Sequence, residues 1–327
     1  MGFRRWLSLL LFCGSLCGAD YSIVFVHIGG SFPDYGRIAL QQARKFNPTC
    51  PIILLASEKA IQQMAKDKQL AGIVFIAYES VKKREEHLQF ERESQLDAKT
   101  RGGFWRYASE RFLYLNDLMQ RDDLKNIFHL EYDNLLYVNL EELLPIFSAH
   151  YPGIGAVFDN DHRAIPGFVF IANREAIGSL ASYFADCAKS GMNDMEVIAE
   201  FNTIYGPLGK INHLPIIPRE YAEQYPLITS TGLRTARNDP YFQYIDLFRS
   251  IFDGAAIGQY LGGVDPRNAE SKPGFINESC VFNPSYFQFE WGLDPLGRKV
   301  PYAVFNGHKF RINNLHIHSK RLQAFRS

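Results

Sequence analysis

The sequence predicts an α/β fold, a parallel sheet of buried strands covered by helices on both faces, and three observations predict it. Residues 21–28, 51–56 and 72–78 are apolar almost without interruption. A strand facing water on one side alternates polar and apolar residues, so continuous apolar runs mark strands buried on both faces. The stretches between them, 33–45 and 58–70, carry apolar residues at helical spacing, which gives β-α-β units. After about Tyr205 the alternation fades and Pro, Gly and aromatic residues dominate, so the last third is expected as an irregular segment over the cleft.

Taken in order, residues 21–28 form the first strand and end at Gly29-Gly30. The helix over 33–45, the strand over 51–56, the helix over 58–70 and the strand over 72–78 follow. Residues 81–101 are highly charged and read as a solvated helix or a mobile loop. A long amphipathic helix is expected over 104–121, then a fourth strand over 126–130 that runs directly into Glu131-Tyr132-Asp133-Asn134. A helix over 141–150, strands over 153–158 and 167–172, and helices over 174–189 and 194–201 complete the regular part. No repeat and no linker divides the chain. It reads as one catalytic domain over 20–327, with a nucleotide-binding half over 20–140 and an acceptor-binding half with C-terminal closure over 141–327.

Composition narrows the function class. The chain has 327 residues with 35 basic and 35 acidic side chains, so its net charge is zero and no basic run supports nucleic-acid binding. Residues 1–19 have the layout of a signal peptide. Arg4 and Arg5 precede an apolar stretch from Trp6 to Leu16, and Cys17-Gly18-Ala19 places the cut after Ala19. The expected location is the secretory pathway or the periplasm, the alternative being a short type II anchor as the only membrane link. Cys50, Cys187 and Cys280 then remain, far apart and odd in number, which allows at most one disulfide and offers no thiolate metal site.

Glu131-Tyr132-Asp133 is the main chemical signal. Carboxylates two positions apart, just beyond a buried strand, fall on one side of an extended turn. Open α/β sheets bind ligands at the carboxyl ends of their strands. Hard oxygen donors suit Mg2+ or Mn2+, either of which neutralises a diphosphate leaving group. Asp159-Asn160-Asp161 is a rival, read as a loop bordering the acceptor side before an Ile165-Pro166-Gly167 turn. In His316-Ile317-His318-Ser319-Lys320 the two imidazoles alternate on an extended segment, and Lys320 can meet a phosphate. Each of these also has a plain structural reading, as a solvated turn or a polar chain end.

Together these motifs resemble the GT-A glycosyltransferases. That resemblance implies a Rossmann-like mixed sheet flanked by helices, in which an Asp-x-Asp-like motif closes the nucleotide half and a C-terminal His joins the metal. Glu131-Tyr132-Asp133 is similar to that motif with Glu in the first place. The resemblance makes Asp133 the direct ligand and gives Glu131 a lesser role at the ribose, water or metal. It leaves open which of His316 and His318 binds, since the usual Gly and Trp of the family's His-Lys segment are missing. Ile165 to Ile171 resembles the acceptor-side strand of retaining members. Asn193-Asp194-Met195-Glu196 is similar to the acidic helix start that supplies the base in inverting members.

The expected function is therefore metal-dependent transfer of a sugar from a nucleotide-diphosphate sugar to a hydroxyl of a glycan, lipid or protein acceptor. Two alternatives are a non-catalytic carbohydrate-binding protein on the same fold and a metal-dependent nucleotide hydrolase. Asp194, Glu196 and Asp253 are the candidate catalytic carboxylates, against the plain reading that Asp194 caps its helix and Asp253 a turn. His27, Gly29, Arg106, Glu131 and Lys320 are candidates for donor binding. Arg111 reads as a solvated or salt-bridged helix face. Asn277-Glu278-Ser279 matches a glycosylation acceptor.

Overall fold

The computed structural model describes residues 19–97, 99 and 102–327, so the predicted signal segment lies outside the described residues apart from Ala19. The first strand, β1 (Ser22–His27), is buried along its whole length. Helix α1 (Asp34–Phe46) lays Ala39, Leu40, Ala43 and Phe46 against the sheet. Strand β2 (Ile52–Ala56) is equally buried, and α2 (Glu58–Met64) starts at Ser57, whose hydroxyl accepts from the Ala60 N–H. Strand β3 (Ile73–Ala77) closes this half. Each fully buried Leu or Ile in such strands stabilises the fold by about 1.5–3 kcal/mol, which is why continuous apolar runs select the middle of a sheet.

The charged stretch forms α3 (Glu85–Glu93), and its inner face is not solvated: His87 and Phe90 are buried. Helix α4 (Phe104–Asp122) follows and leads to β4 (Ile127–Leu130). Next come the short β5 (Asn134–Leu136) and α5 (Leu140–His150). Strands β6 (Ile154–Asn160) and β7 (Arg163–Ile171) form a hairpin longer than expected. The Ile165-Pro166-Gly167 segment lies inside β7 and is not a turn. Helices α6 (Arg174–Asp186) and α7 (Asp194–Tyr205) and strand β8 (Ile211–His213) complete the main body.

The main sheet has the order β3-β2-β1-β4-β7-β6-β8. Strands β1, β2, β3 and β4 pair in parallel. Strand β7 runs antiparallel to both β4 and β6, and β6 is parallel to β8. The sheet is thus mixed, with helices on both faces. No described helix is long and apolar enough to cross a membrane.

The C-terminal third is more regular than its sequence suggests. After α8 (Arg219–Gln224) and α9 (Ile245–Phe248) come β9 (Ser250–Ile251) and α10 (Ala256–Gly262). Strands β10 (Gln288–Leu293), β11 (Lys299–Phe305) and β12 (His308–Ile312) join β9 in a second sheet of order β10-β11-β12-β9. Pro301 and Gly292 break the sequence pattern without breaking the strands: Pro301 sits opposite Trp291, and the Tyr302 ring lies over Gly292. The last strand, β13 (Asn314–His316), pairs antiparallel with β5 and sets His316 opposite Asn134. That register carries the C-terminal histidines to the acidic turn. Cys50, Cys187 and Cys280 are all free thiols.

Candidate active site

The acidic turn leaves β4 at the carboxyl edge of the sheet. The Asn134 N–H donates to the Glu131 carbonyl at 3.0 Å, which closes a tight turn over Tyr132 and Asp133. The Gly167 carbonyl of β7 holds the turn from below, accepting from the Glu131 N–H at 3.0 Å and the Asn134 side-chain amide at 2.8 Å. From β13, the Ile317 N–H donates to the Asp133 carbonyl at 2.9 Å. Backbone pairing therefore fixes both halves of the site before any side chain meets another.

Within this frame Glu131, Asp133 and His316 converge. His316 Nε2 lies 3.0 Å from Glu131 Oε2 and 3.2 Å from Asp133 Oδ1. Its Nδ1 sits 2.5 Å from the Gly254 carbonyl. A carbonyl only accepts, so Nδ1 carries the hydrogen and Nε2 is the nitrogen presented to the carboxylates. Lys320 pairs with Asp133, and Arg111 of α4 pairs with Glu131 and, at 2.9 Å, with Asp194. These charges set one another. Burial pushes the Glu131 carboxyl up, but Arg111 and His316 outweigh it and bring it down to about 2. Burial opposes ionisation of Asp133 too, and Lys320 with His316 hold it well below the usual range. Burial would lower His316, yet Asp133 and Glu131 raise it to about 10.

The imidazole is seated by close backbone approach. A β-carbon at Gly167 would come within 2.6 Å of His316 Nδ1. One at Gly258 would run into the His316 carbonyl. Asp253, only 2% exposed, accepts from the N–H groups of Ile257 at 3.0 Å, Gly258 at 2.9 Å and His316 at 3.0 Å. Burial raises its carboxyl to about 6 against those three donors. Asp253 is thus a clamp between α10 and β13 with its oxygens already engaged, which departs from the expected role as a free base.

Other expected residues fall differently. Asp194 is the first helical residue of α7 and not its cap; Asn193 caps the helix in a capping box with Glu196. Burial raises the Asp194 carboxyl to about 6, with Arg111 opposing, while Glu196 is exposed and spent on the cap. Arg106 points away from the cluster and donates to the Glu91 carbonyl of α3 at 3.0 Å. His318 does not join the carboxylates; its Nδ1 meets the Gln259 amide at 2.9 Å, and burial with the His316 charge lowers it to about 3. His27 packs edge-on against Phe32 and Tyr132, with both ring nitrogens buried and unpartnered. The Gly29 carbonyl accepts from the Ser57 hydroxyl at 2.9 Å, tying the end of β1 to α2. The rival triplet is occupied elsewhere: Asp159 accepts from Asn277 at 2.9 Å and Asp161 from the Tyr241 hydroxyl at 2.7 Å. The same bond buries the Asn277 amide, which a glycan would need free.

No family model matches the chain, and no curated protein matches it. Some solved structures resemble part of the chain. Mouse xyloside xylosyltransferase 1, in its apo form, is 12% identical with a TM-score of 0.44, over 62% of this chain and 89% of that one. The galactosyltransferase LgtC, in complex with donor and acceptor sugar analogs, is 14% identical with a TM-score of 0.38, over 62% and 78%. A cytidylyltransferase from Leptospira borgpetersenii is 13% identical with a TM-score of 0.38, over 60% and 76%. These are partial likenesses of fold, and the functional reading rests on the site itself.

Sequence reasoning undervalued Arg111. Its signal was present: one guanidinium directly before Phe112-Leu113-Tyr114-Leu115, on a buried stretch of α4. It also left Phe252 to Tyr260 unplaced, although Asp253, Gly254 and Gly258 back the imidazole. Their signal was small residues beside a carboxylate in an apolar run, where an unpaired charge is costly.

Proposed function

We propose that this protein is a metal-dependent glycosyltransferase that moves a sugar from a nucleotide-diphosphate sugar to an acceptor hydroxyl. One observation carries the reading: Glu131, Asp133 and His316 present donor atoms within 4.8 Å of one another at the carboxyl edge of β4. Two carboxylate oxygens and one imidazole nitrogen, the latter oriented by the Gly254 carbonyl, fit a divalent ion such as Mn2+, with Mg2+ favoured less because of the nitrogen. Such an ion, when bound, supplies positive charge to the diphosphate leaving group.

The remaining work falls to the chain's own groups. Lys320 lies against Asp133 and is the cation best placed to hold a phosphate oxygen. Arg111 keeps Glu131 ionised and oriented, and it fixes Asp194 on the far side of the same guanidinium. To act as a donor atom, Nε2 of His316 would have to give up its proton, so the site would lose one positive charge and gain the two of the ion. Asp194 is joined to this cluster through the Arg111 guanidinium, and it is our candidate for meeting the donor sugar or the incoming hydroxyl.

Calorimetric titration with a panel of nucleotide sugars, with and without Mn2+, tests the proposal. Binding of at least one donor that strengthens with Mn2+ and is lost in Asp133→Ala is expected. A folded protein that binds none of them would sink it. Release of nucleotide at the same rate with and without an acceptor would identify a hydrolase instead.

A further inference from the structure

A second cluster with the same chemistry lies between α3 and α4, with its Glu110 next in sequence to Arg111 of the first. His87 and Glu91 are four residues apart on α3, and Glu110, Tyr114 and Asp117 share one face of α4. His87 is 1% exposed. Its Nδ1 faces Asp117 Oδ2 at 2.6 Å, and its Nε2 faces Glu110 Oε1 at 3.2 Å. The donor atoms of His87, Glu91 and Glu110 lie within 4.8 Å of one another. Lys83 currently bridges the two glutamates, at 2.5 Å from Glu91 and 3.8 Å from Glu110, with its ammonium over the Tyr114 ring.

We propose that His87, Glu91 and Glu110 form a second metal site, for a transition-metal dication such as Zn2+, that clips α3 onto α4. Four observations support it. The Asp117 carboxylate behind Nδ1 is the usual outer partner of a metal-binding histidine; it fixes the ring and makes Nε2 a stronger donor. One imidazole nitrogen and two carboxylate oxygens are donors that zinc takes, and a water would complete the four of a closed site. Charge closes as well. Glu91, Glu110 and Asp117 carry three negative charges, and a dication with Lys83 and a neutral His87 balances them. Without the ion, even a protonated His87 leaves one negative charge over. Finally, an open groove of about 560 Å³ lined by Lys82, Lys83, Arg84 and Asp117 borders the cluster. The Lys83 side chain, 27% exposed, lines this groove, which gives it room to swing off Glu91.

The His316→Ala variant removes the donor common to the first site and leaves the second intact, so Zn2+ titration of that folded variant reads the second site alone. About one equivalent of Zn2+ should bind, and Mg2+ should not compete. Glu91→Gln leaves the His87–Asp117 pair in place, and it should weaken Zn2+ binding by roughly 10-fold or more. His87→Gln in the same background should abolish the binding. A folded His316→Ala protein that takes up no Zn2+ would overturn the proposal. Binding unchanged by Glu91→Gln and His87→Gln would do the same, because the ion would then sit elsewhere. Failure of His87→Gln to fold leaves Glu91→Gln to decide the question.

Discussion

Two places in this chain set one imidazole, two carboxylates and one lysine together, and they are assembled by different means. At the carboxyl edge, Asp133 and Lys320 are 187 positions apart and meet because β13 pairs with β5. Between α3 and α4, His87 and Glu91 are one helical turn apart, and their partners lie on the neighbouring helix. The outer partner of the histidine also differs. Gly254 offers a neutral carbonyl to His316, whereas Asp117 offers a charge to His87. Helix α4 touches both clusters through adjacent residues, with Glu110 facing His87 and Arg111 facing Glu131. The edge turn is framed by backbone contacts from β7 and β13. The interhelix cluster is held chiefly by side chains, with the Arg84 N–H on Asp117 as its backbone contact, so it suits stability better than turnover.

The largest expected effect breaks the edge cluster. Asp133→Ala removes a donor and the partner of Lys320, and donor-dependent transfer should fall roughly 1000-fold, on the scale seen when a charge-stabilising group is lost from an active site. Unfolding should be affected less, because Glu131 still pairs with His316 and the partly exposed Lys320 can turn to water. Rates measured beside a denaturation curve separate the two. Equal losses of activity and stability would contradict the assignment of the edge cluster to chemistry.

Next in size is the link between the clusters. Arg111→Met leaves Glu131 and Asp194 without their shared cation, and stripping one partner from a buried ion pair costs about 3–5 kcal/mol. Urea unfolding should show that loss, and Asp194→Asn in the same chain should restore part of it. An Arg111→Met protein with the wild-type midpoint would mean that the pairing contributes nothing net. Gly258→Ala probes the clamp. Its methyl group would meet the His316 carbonyl, which is backbone and cannot swing aside, so α10 must shift. A loss of about 1–3 kcal/mol is expected by the same measurement.

The contrast also explains what could be read from sequence. Strands β1 and β2 announced themselves, because burial on both faces leaves an apolar run, and β3 shows such a run although it lies at the sheet edge and is only partly buried. Glu131 and Asp133 followed from their place after β4. The second sheet was missed because four of the six residues of β10 are exposed and Pro301 and Gly292 imitate loop signals; only pairing to neighbours makes these segments strands. Choosing His316 over His318 was not possible from spacing. It depends on Gly167 leaving room for the His316 ring and on Gly254 offering its carbonyl to Nδ1, contacts from two segments far apart in the chain. The charged stretch around His87 looked solvated because its acidic and basic residues outnumber its apolar ones. Their partners on α4 become neighbours only after folding.

The smallest effect sharpens the comparison most. Burial alone would push the His87 imidazole below its ordinary value, but Asp117 and Glu110 more than offset this and hold it above. The unfolded chain takes up this proton near pH 6.5. In metal-free buffer the stabilisation is therefore complete below that pH and is lost as pH rises through the higher folded-state value. Each tenfold preference for the protonated form is worth about 1.4 kcal/mol. Denaturant unfolding measured from pH 6 to pH 9 should show wild type declining more steeply than His87→Gln, and the difference isolates His87 from the parallel contribution of His316. Added Zn2+ should reverse the difference, since a metal-bound imidazole must be neutral and binding then strengthens as protons become scarce. A slope that ignores both Zn2+ and the His87 substitution would leave the interhelix cluster as an ion triad and nothing more.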